Sequence, residues 1–75
     1  MSTLDEMIRR KNSALMLVDF SDDSVSQAAN MTEAALMEIR IAQIDGAPSP
    51  PSRSDRLRSA HDLLEHAARI LDTVG

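Results

Sequence analysis

Pro48, Pro50 and Pro51 fall within four residues of one another, in a 75-residue chain otherwise rich in helix formers. Proline fixes its own φ and biases the preceding residue away from the helical region, so no helix crosses this segment. Gly46 lies just before it, where a glycine closes a helix in the left-handed conformation. Residues 46–52 therefore read as a short, stiff connector that folds two long helices back on each other as antiparallel neighbours. On this reading the whole chain, 1–75, is a single small helical domain.

The composition points the same way. Apolar residues make up 43% of the chain, but ten are alanine, and Leu, Ile, Val and Phe together number only seventeen. Ala, Leu, Met, Glu and Arg favour helix, while Phe20 is the only aromatic residue and β-branched residues are sparse. An all-α fold follows, with a core that is thin for two reasons. A chain of this length buries only about 60 to 65% of its unfolded surface, and the absence of cysteine removes disulfides and thiolate metal sites as reinforcement.

A first helix is predicted over about 4–18, opened by a capping box in which Thr3 and Glu6 satisfy each other's backbone amides. Leu4, Met7, Ile8, Leu15 and Val18 share one helical face, interrupted at Lys11. The run from Ala14 to Val18 is apolar on all sides and is compatible with an extended segment. The cluster Ser21-Asp22-Asp23-Ser24 caps a second helix, over about 22–44, and Ser52 or Ser54 caps a third, over about 53–74.

Helices two and three carry matching heptad seams. Val25, Ala28, Thr32, Ala35, Ile39 and Ala42 alternate steps of three and four, as do Leu57, Ala60, Leu64, Ala67, Leu71 and Val74. Folding at the connector sets Ala42 against Leu57, Ile39 against Ala60, Ala35 against Leu64, Thr32 against Ala67, Ala28 against Leu71 and Val25 against Val74, in one constant register. Four of these six layers oppose a large aliphatic residue to alanine. The expected centre of the core is thus the seam itself, with Leu64 buried against Ala35.

Leu36, Met37, Ile41, Ile44, Leu63 and Ile70 lie outside that seam and widen the apolar surface beyond what one helix covers. Either helix one folds over them, giving a three-helix bundle, or a second chain covers them, as in an intertwined dimer. These six are the candidate partner-binding residues, and Met16, Met31 and Met37 suit an adaptable contact surface.

Chemistry is hard to place. In His61-Asp62-Leu63-Leu64-Glu65-His66 the histidines are five apart, about 140° around a helix, and cannot chelate one ion together. Each has a carboxylate one turn away, enough for a helix-stabilising pair. The serines sit at caps and in the connector, both glycines sit at helix ends, and Asp19, Asp22 and Asp23 lack the pattern of a calcium loop. No catalytic residue, metal or cofactor is expected, and the chain does not read as an enzyme.

A net charge of -4 excludes the concentrated basic surface a nucleic-acid binder needs; the small clusters Arg9-Arg10-Lys11 and Arg53, Arg56 and Arg58 read as solvated faces. No stretch has the roughly 20 apolar residues of a bilayer span, and no membrane partner is expected. With no leader pattern at the amino terminus, the expected location is cytoplasmic. In architecture alone the chain is similar to small helical-hairpin co-chaperones and antiactivators of bacteria. The expected function is binding to another protein chain, self or heterologous, as a homodimer or heteromeric complex. Sequestering or inhibiting a partner, in the manner of a co-chaperone, an antiactivator or a phage- or plasmid-type inhibitor, is the first reading, a purely structural homo-oligomer the second, and a metal-binding protein built on His61, His66 and their carboxylates the third.

Overall fold

The structure, a computed structural model, describes residues 3–44 and 52–74. It contains three helices, α1 (Thr3–Phe20), α2 (Ser24–Ile44) and α3 (Arg53–Val74), and no strand among the described residues. The fold is all-α as predicted, and the boundaries differ from the sequence reading by two residues at most. Apart from Ser52, the connector predicted at 46–52 lies outside the described residues. The run from Ala14 to Val18 is helical throughout.

Local hydrogen bonds explain where the helices start. Asp23 caps α2: its Oδ1 accepts from the Ser26 amide at 2.7 Å and its Oδ2 from the Ser26 hydroxyl at 3.0 Å. Ser52 caps α3 reciprocally, its Oγ accepting from the Asp55 amide at 3.2 Å while its own amide donates to Asp55 Oδ2 at 3.0 Å. Thr3, predicted as a cap, is itself helical, within α1. The tight turn from α1 into α2 is tied at Ser21, whose hydroxyl donates to the Leu17 carbonyl at 2.6 Å and accepts from Asn30 Nδ2 at 3.1 Å.

α2 is the central element. α1 and α3 each pack along it, but no Cα of α1 comes within 8 Å of α3 among the described residues. The backbone of the first helix thus runs close to α2 alone, while its Lys11 and Leu15 side chains line a groove with Ser59, Asp62 and Leu63 of α3. Ala14 is the one fully buried residue of α1, whereas α2 buries Ala28, Met31, Ala34, Ala35, Met37, Ile41 and Ala42. Met31 clusters with Ala28 and with Ala67 of α3, and Val18, Leu63 and Ile70 close over this cluster from the two outer helices.

This core lies beside the predicted seam. The antiparallel sense of α2 and α3, and to within a turn their register, are as predicted, since Ala67 meets Ala28 and Met31. The rotation of the helices about their axes is not as predicted. Ala28, Ala35, Ala42, Ala60 and Ala67 are buried, but the large members of the seam, Val25, Leu57, Leu64, Leu71 and Val74, are half exposed. The physical reason is the size of the alanine side chain. Two helices meeting along alanine rows approach closely, which leaves long side chains no room on the contact line and turns them to its edges. One edge, with Leu63 and Ile70, is covered by the bundle; the other, with Leu57, Leu64 and Leu71, is not.

A buried charge cluster ties the helices together, and it corrects the sequence expectation that Lys11 and Arg56 belong to solvated faces. Glu38 of α2 is 6% exposed and Arg56 of α3 is 7% exposed. Glu38 Oε1 accepts from Arg56 Nη1 at 3.2 Å, and Lys11 Nζ of α1 stands 3.2 Å from the same oxygen. One carboxylate therefore joins all three helices. The signal for it was the interruption of α1's apolar face at Lys11.

Candidate partner-binding surface

The six residues marked by sequence as a partner surface are divided by the fold. Met37 and Ile41 are buried within the chain, Ile41 completely. They belong to the intramolecular core and cannot meet a partner while α1 is docked. Leu63 and Ile70 are partly covered, closing the Met31 cluster. Only Leu36 and Ile44 remain well exposed.

Around Leu36 the structure assembles a different set. Leu57, Leu64 and Leu71 are 43%, 41% and 49% exposed. Their spacing of seven places them one above another on α3, along the edge of its contact with α2. Across the contact, Val25, Ala28, Ala29, Thr32 and Leu36 of α2 line a shallow groove together with Leu71. Helix periodicity sets these α2 positions away from the Ala34, Met37 and Ile41 stripe, so α1 does not cover them. The result is a two-helix apolar face, rimmed by Glu33 and Arg40 on α2 and by Arg58, Glu65 and Asp72 on α3. Half-exposed side chains of this number expose on the order of 450 Å², comparable to the largest patches of monomeric proteins, which commonly mark contact sites.

Leu57, Leu64 and Leu71 were assigned by sequence to the interior because a heptad repeat alone does not say which neighbour it faces. The usable signal was the alanines. A contact already lined on both helices by Ala28, Ala35, Ala42, Ala60 and Ala67 needs no leucine at its centre.

The polar side of α3 carries local pairs. Glu65 Oε1 lies 3.2 Å from Arg69 Nη2, and His61 Nδ1 lies 3.5 Å from Asp62 Oδ1 and 3.8 Å from Glu65 Oε2. The possible ligand atoms of His61, Asp62 and Glu65 lie within 4.8 Å of one another, but all three residues are exposed and none is held by a further hydrogen bond from a neighbouring helix among the described residues. His66 points away from His61, as helical geometry requires for residues five apart, and lines a separate shallow groove with Asp62, Glu65 and Arg69.

Among the described residues two carboxyls have displaced proton affinities, both at helix starts. The Ser26 amide and then its hydroxyl hold the Asp23 carboxyl below its usual 3.8. At α3 the Ser52 amide and then its hydroxyl do the same for Asp55, with the Arg58 charge adding to the effect. These are capping effects, in which hydrogen bonds favour the ionised form, and they serve helix formation.

No helix among the described residues is long and apolar enough to cross a membrane. Comparison with protein-family models, with curated proteins and with solved structures finds no match.

Proposed function

We propose that this chain is a non-enzymatic protein-binding module, whose apolar α2–α3 face takes up a helix of another chain. The observation that carries this reading is the line Leu57, Leu64 and Leu71, half exposed beside the groove containing Leu36 while much smaller alanines line the contact between α2 and α3. A helix laid along such a groove buries residues at steps of three and four, the usual way in which an amphipathic segment is recognised. Sequestering or inhibiting a partner, in the manner of a co-chaperone or antiactivator, is the biological role this mode of binding fits. Leu36 stays in the proposed site, Ile44 is exposed but lies outside its groove, Leu63 and Ile70 border the core, and Leu57, Leu64 and Leu71 join the site.

The test is site-specific cross-linking in cells of the source organism. A photoreactive phenylalanine analogue at Leu64 is expected to trap a polypeptide, self or foreign, whereas the same group at Arg69, on the polar side of α3, traps none. A folded protein with no Leu64-specific product overturns the reading.

A further inference from the structure

Each exposed leucine of α3 is followed by a charge: Leu57 by Arg58, Leu64 by Glu65 and Leu71 by Asp72. Both sets repeat every seven residues, so the charges form a line flanking the leucines, basic at one end and acidic at the other. Arg58 and Asp72 form no salt bridge within the chain among the described residues.

The leucine line is symmetric about Leu64. A two-fold axis beside Leu64, perpendicular to α3 and lying in the plane of the face, sets Leu57 of one copy against Leu71 of another. The same axis brings Arg58 and Asp72 of the two copies to within two residues of register, about 3 Å along the helix and within reach of these side chains, twice. Glu65 then approaches its own symmetry mate, but its charge is already balanced by Arg69 at 3.2 Å. Parallel pairing, in contrast, sets Arg58 on Arg58 and Asp72 on Asp72, and like charges across a seam are unfavourable.

We propose that in the isolated protein the α2–α3 face is occupied by a second copy of this chain, with the two α3 helices antiparallel and Arg58–Asp72 ion pairs at both ends. This rests on the reading that the face binds a polypeptide, and it names the resting occupant, which a client must displace. The area is adequate. A helix of this length is about 33 Å long, and two helices at the usual spacing present a face about 20 Å wide. That is roughly 650 Å² per chain, in total within the range of specific interfaces. The pairing is isologous and closes on itself, so it makes a dimer and no filament.

Sedimentation equilibrium on the full chain, with circular dichroism on the same samples, tests this. Wild type is expected at twice the chain mass. Arg58→Asp and Asp72→Arg, each on the solvent side of α3, are each expected to keep full helicity and to weaken self-association roughly tenfold or more. Mixing the two variants in equal amounts is expected to restore a dimer, because every pair in the mixed dimer is then complementary. A monomer at all concentrations overturns the proposal, as does a dimer that survives Leu64→Asp or whose two variants fail to rescue each other. The binding reading fails separately, on the absence of a Leu64 cross-link: a monomer that still cross-links a foreign chain removes only the second copy.

Discussion

Arg56 Nη1 of α3 lies 3.2 Å from Glu38 Oε1 of α2, and neither residue is more than 7% exposed. With Lys11 on the same oxygen, one carboxylate balances two cations from two helices whose backbones do not come within 8 Å of each other. Removing the carboxylate leaves Arg56 buried without a counter-charge. Glu38→Ala is therefore expected to cost about 3 to 5 kcal/mol, most of what a domain of this size possesses. Urea unfolding followed by circular dichroism measures it; an unchanged midpoint would show that the cluster contributes nothing. Replacing all three charges together, with Lys11→Met, Glu38→Leu and Arg56→Met, is expected to restore stability, since a buried ion cluster and a packed apolar one are often equivalent.

Ile41 and Leu64 separate interior from surface. Ile41→Ala should lower stability by about 2 to 5 kcal/mol through the cavity it leaves, and Ile41→Asp should abolish the thermal transition. Leu64→Asp should retain helicity and a cooperative melt while losing association. If Leu64→Asp unfolds the chain in the same assay, the exposed leucine line belongs to the monomer core.

The two caps lie at opposite ends of the hairpin, since α2 and α3 are antiparallel. Ser52→Ala is expected to cost about 1 kcal/mol, and Asp23→Ala to lower Tm as well. The double variant should show the sum of the two effects, as distant sites do. A clear departure from additivity in the melting curves would mean that the two helix starts are coupled.

Acid should weaken the fold through the same groups. The carboxyls of Asp23 and Asp55 have folded pKa values below the usual 3.8. Each therefore adds stability that is fully present above the unfolded value and is lost as pH falls through the folded value. Tm should be flat at neutral pH and fall below about pH 4. Asp23→Asn combined with Asp55→Asn should reduce that fall; an identical acid profile in this variant would assign it to other carboxylates.

Zinc should leave the melting curve unchanged, because His61, Asp62 and Glu65 are exposed side chains on a single helix and bring no second element to an ion. A large zinc-dependent rise in Tm, abolished by His61→Ala, would establish a metal site there.

The helices were legible in the sequence because their punctuation is local. Asp23 and Ser52 bond to residues three positions on, and the prolines exclude helix wherever they stand. The choice of face was not local. Leu64 and Leu63 occupy adjacent positions on α3, and only the way α3 is turned within the bundle decides that Leu63 is covered and Leu64 is not. A heptad count sees one partner helix, whereas α2 has two. Glu38 and Arg56 were illegible for another reason: charged residues are almost always at the surface unless paired, and their pairing spans eighteen positions.

Because α2 alone brings its backbone against both of its neighbours among the described residues, the three helices form a chain of links whose first and last are joined only through side chains. Either end link can open without breaking the other joint, but detaching α1 uncovers Met37 and Ile41 at the moment Lys11 leaves Glu38. Native-state hydrogen exchange would then find two rungs of protection: a lower one for α1, and a higher one shared by the pair that remains.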